Sequence, residues 1–290
     1  MPEQTIAREW YKIGIQFEKS ACFNDAINAY RQVLDIEPHH RNAWFRLGRN
    51  YDIMHRYHDA LHAFRHALDL DKNNAAAWHC LGQVYDKLGE YHESMMAYRK
   101  AIDIDPDDVY AWNSLGAACY RSGDLEKAVT VFQQSLSINE RHGPTWSCLG
   151  LAYEKQGYFE SAIYAFRQAI KLDPADIEAQ YNMGVAYEGL NRLDDAIDAY
   201  RAAINKDPAF LQAYNNLGFC FKRKSLFENA VQIYRRGLEV NPDYLPILLN
   251  LADLYALEYR FEEATECRLK AIAVDPSTIP VDSYYSQVWF

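Results

Sequence analysis

Three features that would place a protein outside the cytoplasm are missing from this 290-residue sequence. No apolar run approaches the roughly 20 residues of a membrane-spanning helix. The start, Met1-Pro2-Glu3-Gln4, lacks the basic and then apolar profile of a signal peptide. The cysteines include no close pair and no C-x-x-C, which favours reduced thiols over a disulfide framework or a zinc site. They are Cys22, Cys80, Cys119, Cys148, Cys220 and Cys267. We therefore expect an intracellular, cytoplasmic protein.

Positive charge and catalytic motifs are also scarce. Lys and Arg total 30 against 40 Asp and Glu, and the resulting net charge of −10 disfavours nucleic acid as the main partner. The sequence contains neither the Gly-rich nucleotide-binding motifs nor the G-x-S-x-G and H-E-x-x-H motifs of hydrolases. We expect no cofactor and no enzymatic activity.

The histidines are concentrated between residues 39 and 92. His58, His62 and His66 follow one another at intervals of four, and two such histidines on one helix can hold a divalent metal. No carboxylate or cysteine completes a set at a specific spacing. A solvated outer helix face is the favoured interpretation, and no metal site is predicted.

What the sequence does contain is a period of 34 residues without insertion or deletion. Tryptophan occupies one position in each of the first five copies, at Trp10, Trp44, Trp78, Trp112 and Trp146. In the last three copies, the same position is held by Gln180, Tyr214 and Leu248. A fixed period of this length predicts a stack of repeated units. Counted from Ala7, the repeats are 7–40, 41–74, 75–108, 109–142, 143–176, 177–210, 211–244 and 245–278. Residues 1–6 form an N-terminal extension to them.

Each repeat is predicted to contain two helices. Trp78, Leu81 and Tyr85 fall at i, i+3 and i+7 on one helix face, and Ala162 and Phe166 fall at i and i+4 of another. Small residues in the first helix allow the two axes to approach closely; they are Gly14, Gly48, Gly82, Gly116, Gly150, Gly184 and Gly218. The left-handed turn between the helices is predicted at Gly89, Gly123, Gly157 and Asn191.

The order Trp78, Leu81-Gly82, Tyr85, Tyr98 and Pro106 resembles the tetratricopeptide repeat pattern W-x2-L-G-x2-Y…F…P. The resemblance covers residues 7–278. It implies an all-α, right-handed superhelical solenoid of antiparallel helix hairpins. It also implies a concave groove lined by the first helix of each hairpin, in which partner peptides lie.

Three asparagines occupy the sixth position of successive repeats near the C-terminal end: Asn182, Asn216 and Asn250. An amide offers a donor and an acceptor together, so such a row can hold a peptide backbone. The row resembles the one in the repeat domain of O-linked N-acetylglucosamine transferase; a structural role for the amides is the alternative. The predicted groove there also includes Tyr181, Asn215 and Phe219. We expect replacement of the three asparagines to weaken partner capture and to leave stability nearly intact.

Basic and aromatic residues occupy the corresponding positions near the N-terminus, at Tyr11, Lys12, Phe45, Arg46 and Arg49. Such a surface suits an acidic or carboxylate-bearing segment with an apolar anchor. The favoured alternative is that these cations pair with acids of neighbouring repeats, namely Glu18, Asp52 and Asp86.

A carboxylate clamp for the C-terminal tails of heat-shock chaperones is not predicted. In the family this clamp needs set lysine, asparagine and arginine positions in three consecutive repeats, and no three repeats here supply them. Where Asn182 would serve, the preceding repeat offers Ser147 and Leu151.

Two repeats depart from the pattern. In the fourth, Cys119 replaces tyrosine, Ser135 replaces alanine and Glu140 replaces proline, which we interpret as tolerated drift. In the last, Ala252 replaces glycine and Arg268 replaces the aromatic residue. We expect Arg268 to lie on the polar outer side of a terminal repeat.

Residues 279–290 leave the period. Asp282 or Ser283 is predicted to cap a short helix over the last hairpin. Alternatively, this aromatic segment enters the groove of another copy and builds a homo-oligomer.

The sequence therefore predicts a non-catalytic binding module or assembly scaffold for a protein or an extended peptide. Two alternatives remain. One is a self-assembling structural protein that uses its end repeats and tail. The other is the repeat domain of a larger complex or enzyme.

Overall fold

The computed structural model describes residues 2–278, and within that range it contains sixteen α helices, one 3₁₀ turn at Pro276–Thr278 and no strand. The helices are α1 Pro2–Lys19, α2 Phe23–Ile36, α3 Arg41–Ile53, α4 Tyr57–Leu70, α5 Ala75–Lys87, α6 Tyr91–Ile104, α7 Val109–Arg121, α8 Leu125–Ile138, α9 Gly143–Lys155, α10 Phe159–Leu172, α11 Ile177–Gly189, α12 Leu193–Lys206, α13 Leu211–Arg223, α14 Phe227–Val240, α15 Leu245–Leu257 and α16 Phe261–Val274. The predicted all-α class is confirmed. Helix α1 begins ahead of the first repeat, so the extension is helical from Pro2 onward.

The chain divides into two compact units, Met1–Ala152 and Tyr153–Phe290. In the first unit, four hairpins (α1/α2, α3/α4, α5/α6 and α7/α8) follow one another, and each of the first three packs its second helix against the first helix of the next. In the second unit, the hairpins α11/α12, α13/α14 and α15/α16 stack in the same way, and α10 packs on α11. The predicted tail falls at residues 279–290, outside the described residues.

Inside six of the hairpins, a glycine of the first helix lies against a fully buried aromatic ring of the second. A Cβ placed on Gly82 would lie 2.7 Å from Cε1 of Tyr98, closer than two non-bonded carbon atoms approach each other. The same pairing joins Gly14 to Tyr30, Gly48 to Phe64, Gly116 to Phe132, Gly184 to Tyr200 and Gly218 to Tyr234. Gly150 is also buried. The six rings are at most 1% exposed, so this contact forms the centre of those hairpins.

The five tryptophans of the repeats play a different part, because each of them is only partly buried. The indole Nε1 of Trp44 donates a hydrogen bond to the carbonyl of Pro38, 2.8 Å away in the loop from the preceding repeat. The equivalent bonds join Trp78 to Lys72, Trp112 to Pro106 and Trp146 to Glu140. Each of these tryptophans thus fixes the loop that leads into its own repeat.

The turn inside every hairpin has one residue with positive φ. The prediction is confirmed at Gly89, Gly123, Gly157 and Asn191, whose φ values lie between 58° and 88°. The remaining four repeats adopt the same backbone with residues that favour it less: Ala21, His55, Ser225 and Tyr259.

The departures in the fourth repeat are partly compensated in the fifth. Ser135 is fully buried, and its Oγ lies 3.3 Å from the Oγ1 of Thr145, which is also fully buried. Thr145 further donates to Asn113 Oδ1 at 3.0 Å and lies 2.6 Å from Nδ1 of His142. Ser135 therefore belongs to a polar cluster between repeats, which the interpretation as drift had missed.

Candidate protein-interaction surface

The asparagine row lies on α11, α13 and α15 of the second unit. Asn182, Asn216 and Asn250 each occupy the sixth position of their repeat and are partly buried. The row is therefore neither fully solvated nor enclosed. The hydrogen bonds of each amide decide what it can offer to a partner.

Two of the three amides are joined in a hydrogen-bonded chain with their neighbours. Asn250 Nδ2 donates to Asn215 Oδ1 at 2.8 Å, and Asn215 Nδ2 donates to Asn216 Oδ1 at 3.2 Å. Asn216 Nδ2 in turn donates to the hydroxyl of Tyr181 at 3.0 Å. The chain gives these side chains a fixed orientation, and it confirms that the amides have a structural part.

Beneath the row, Tyr200 links the hydrogen-bonded chain of amides to the carboxylate of Glu188. Its hydroxyl donates to Glu188 Oε2 at 2.5 Å and lies 3.4 Å from Asn216 Nδ2. Burial raises the pKa of Tyr200 far above its usual range, and the nearby Glu188 carboxylate raises it further. The hydroxyl therefore stays protonated and continues to donate to Glu188.

Asn182 and Phe219 are placed differently from the linked amides. Asn182 lies one repeat before Asn216 and is not part of the hydrogen-bonded chain described above. Phe219 is 41% exposed on the next turn of α13 after Asn215 and Asn216. The surface thus presents an apolar ring beside oriented amide groups.

In the first unit, the predicted cation Arg46 is already engaged. Its Nη1 lies 2.5 Å from Glu18 Oε2, and its Nε donates to the Tyr11 hydroxyl at 3.0 Å. The other oxygen of Glu18 accepts from Nδ2 of Asn50, which is 1% exposed. Arg46 therefore pairs with an acid of the neighbouring repeat, Glu18, as the favoured alternative predicted.

The other predicted residues of this region are more open. Lys12 pairs with Glu9 on the same helix, with both side chains more than half exposed. Phe45 packs at 5.9 Å from the ring of Phe64. Arg49 is exposed on the turn of α3 that follows Arg46.

The structure also reveals ion pairs that sequence reasoning missed. Lys87 Nζ lies 2.7 Å from Asp52 Oδ1, and Arg121 pairs with Asp86. In both cases an acid at the twelfth position of one repeat pairs with a base at the thirteenth position of the next. A spacing of 35 residues between acid and base was the signal in the sequence. Asp52 and Asp86, two of the three acids expected to pair with the predicted groove cations, thus pair with Lys87 and Arg121 instead.

Other kinds of site find little support in the part of the chain that the structure describes. None of its helices combines the length and the apolar character that crossing a membrane requires. It also holds no group of three or more His, Cys, Asp or Glu side chains arranged for a metal ion. The six cysteines are free thiols.

Comparison with known proteins accords with the helix hairpins. A family model described as the C-terminal domain of cilia and flagella-associated protein 70, a tetratricopeptide repeat domain, matches residues 14–206, about two thirds of the chain. Models of the tetratricopeptide repeat itself match residues 189–225 and 211–244. The chain belongs to this tetratricopeptide repeat family. A comparison with curated protein sequences finds no match.

Solved structures of tetratricopeptide repeat proteins resemble the chain in fold. MamA from Desulfovibrio magneticus RS-1, from residue 41 to its end, is 24% identical, with a TM-score of 0.55 over 59% of this chain and 96% of that one. YrrB, described as a TPR protein with an unusual peptide-binding site, is 22% identical, with a TM-score of 0.54 over 64% of this chain and 96% of that one. At this level of identity the likeness concerns the fold alone.

Proposed function

We propose that this tetratricopeptide repeat protein is a non-catalytic interaction scaffold that binds an extended peptide segment of a partner along α11, α13 and α15. The observation that carries the proposal is the chain of amides from Asn250 to Tyr181, beside which Asn182 and Phe219 remain available. Peptide binding by a neighbour of the same fold, YrrB, accords with this proposal.

The physical basis is preorganisation. Binding costs free energy when flexible side chains must be ordered, and here Asn215, Asn216 and Asn250 are already oriented by one another. An amide can donate to a carbonyl and accept from an N–H, so it recognises a peptide backbone whatever its sequence. Phe219 supplies the apolar contact that anchors one side chain of the partner.

The basic region of the first unit is a weaker candidate for partner binding. Arg46 is held by Glu18 and Tyr11, so a carboxylate on a partner would have to displace both. Arg49 is exposed, and so is Lys12, which pairs with Glu9. We propose that Arg49, rather than Arg46, would contact an acidic residue of a ligand bound to this unit.

The free thiols support a reducing, intracellular location for this function. They include the exposed Cys22.

The test is selection of binding peptides from a random library by the intact protein, followed by affinity measurements on defined peptides. We expect N182A/F219A to weaken binding at least tenfold and to leave the thermal midpoint within a degree or two. The matched control is N28A, which removes an exposed asparagine of α2 in the other unit. Selected peptides that bind N182A/F219A as tightly as the parent protein would contradict the proposal.

The structure changes the earlier expectation for the full asparagine row. Asn216 and Asn250 donate hydrogen bonds inside the second unit, so their replacement leaves other groups unpaired. Each alanine variant should lower the free energy of unfolding by about 1 kcal/mol. Loss of binding in the triple variant alone would therefore not separate a contact from a loss of structure.

Self-assembly is a second candidate function, and exposed apolar side chains on the first and last helices favour it. Ile6 of α1 is 48% exposed, and Phe261 and Leu269 of α16 are each 62% exposed. Light scattering should then give a mass above that of the monomer for the full chain, and a lower mass for I6D and for L269D. A monomer at all concentrations would exclude this candidate.

A further inference from the structure

Two histidines of α4 converge on one point outside the surface described above. The Nε2 atoms of His62 and His66 are 3.3 Å apart, and their ring centroids are 4.4 Å apart. The sequence favoured a solvated face for these residues. The structure adds that both imidazoles direct the same nitrogen to a common position.

This separation is the one that a tetrahedral metal site requires. Zinc–imidazole bonds measure about 2.0–2.1 Å, so two nitrogens bound at a tetrahedral angle lie about 3.3 Å apart. Two histidines spaced i and i+4 on a helix chelate metal in this manner. His62 and His66 can therefore bind one ion with little change of their side-chain positions.

Trp44 of the preceding helix holds both rings. His66 stacks on the indole at 4.5 Å with an interplanar angle of 22°, and His62 meets it edge-on at 6.1 Å. These contacts restrict the two side chains before a ligand arrives, and thus lower the entropy cost of chelation. They also place an intrinsic fluorophore beside the candidate ion.

The surroundings attract cations. His62 and Trp44 line a groove of about 830 Å³ between α2 and α4, and three carboxylates line it as well: Asp25, Asp35 and Asp59. Arg31 is the one cation of that lining, and it donates two hydrogen bonds to the hydroxyl of Tyr51. The acidic groove raises the local concentration of a divalent ion next to the imidazoles.

We propose that His62 and His66 form a binding site for a single divalent late transition-metal ion, such as Zn²⁺ or Ni²⁺. Neutral imidazole is a preferred ligand of both metals. Two protein ligands leave the remaining coordination positions to water or to a side chain of a bound partner. The site is independent of the proposed peptide surface, which lies in the other unit.

Titration of the intact protein, free of any affinity tag, with NiCl₂ or ZnCl₂ by calorimetry tests the proposal. We expect one saturable ion per chain and an affinity at least tenfold lower in H62Q and in H66Q. The control H58Q removes the third histidine of the series, one turn earlier on α4, and should leave the affinity unchanged. Cu²⁺ should quench part of the tryptophan emission in the parent protein, and W44F should reduce that quenching while calorimetry still detects an ion.

Three outcomes would overturn the proposal. The first is no saturable binding, and the second is equal binding by the parent protein and H62Q/H66Q. The third is a loss of affinity in H58Q as large as in H62Q, because it would indicate several loosely placed histidines acting together. Circular dichroism of H62Q/H66Q should match that of the parent protein, so a change of fold is separable from loss of the ligand.

Discussion

Ala252 and Arg268 replace, in the last repeat, a glycine and an aromatic ring that pack on each other in six of the preceding repeats. At Gly184, an added Cβ would lie 2.6 Å from Cε1 of Tyr200. Ala252 carries such a Cβ and is 1% exposed, so an aromatic ring does not fit beside it. Arg268 is directed instead to Asp253, at 3.6 Å. The two departures are therefore coupled, and the need for a polar outer side explains only part of the choice of Arg268.

A double-mutant cycle tests this coupling. R268Y alone should lower the free energy of unfolding by about 1–3 kcal/mol, because the ring is forced against the methyl group of Ala252. A252G/R268Y restores the contact found in the other repeats, and the coupling energy should be about 1–2 kcal/mol in favour of the double variant. Urea unfolding of the four proteins measures it. Additive effects would show that the two positions are independent.

The left-handed turns predict opposite effects at two equivalent positions. Ala21 has a φ of 55°, so A21G should raise the free energy of unfolding by roughly 0.5–1 kcal/mol. Gly123 has a φ of 88°, and an added Cβ would meet nothing within 4 Å. G123A should therefore cost about 1 kcal/mol for backbone reasons alone. Equal shifts of the urea midpoint in both variants would contradict this account.

The polar cluster around Ser135 and Thr145 predicts an asymmetry between single and double replacement. T145A removes a buried hydroxyl that serves Asn113, Ser135 and His142, and it should cost about 1–3 kcal/mol. S135A/T145A restores the alanine pair of most other repeats, so it should cost less than T145A alone. Thermal unfolding of the single and double variants provides the comparison. A double variant less stable than T145A would oppose the idea that the two replacements compensate each other.

Acid should destabilise the protein through two partly buried histidines. Burial lowers the pKa of His79 and of His142 below the usual value of 6.5. The unfolded chain therefore binds more protons than the folded one, and stability falls as the pH drops through 6.5 toward the lower pKa of the folded state. The urea midpoint of the parent protein should fall between pH 7.5 and pH 5. In H79Q/H142Q that fall should be smaller, and an unchanged fall would assign the acid sensitivity to other groups.

The helices and their turns were predictable because one period of 34 residues repeats the same local chemistry eight times. Gly89 and Asn191 identified the left-handed position, whereas Ala21 and Tyr259 concealed it, because their side chains give no sign of positive φ. The period alone located the turn in those repeats.

The surface was less predictable, since hydrogen bonds between side chains depend on geometry that the period does not specify. Arg46 and Arg49 are three residues apart and are the same residue type, yet only Arg46 reaches Glu18. Asn182 and Asn216 occupy the same position of their repeats, yet only Asn216 has a tyrosine hydroxyl from the previous repeat within reach. The identity of residues one repeat away decides each case.

The bond from the indole of Trp44 to the carbonyl of Pro38, and its three equivalents, make four loops depend on a residue that is synthesised after them. On the ribosome, a loop such as the one at Pro38 would acquire its final hydrogen bond only when the next tryptophan has left the exit tunnel. In these four loops the tether would therefore form only after the first helix of the next repeat has begun to emerge. A chain interrupted at a repeat boundary would end in a loop that lacks its tether, at a place where proteases can reach it.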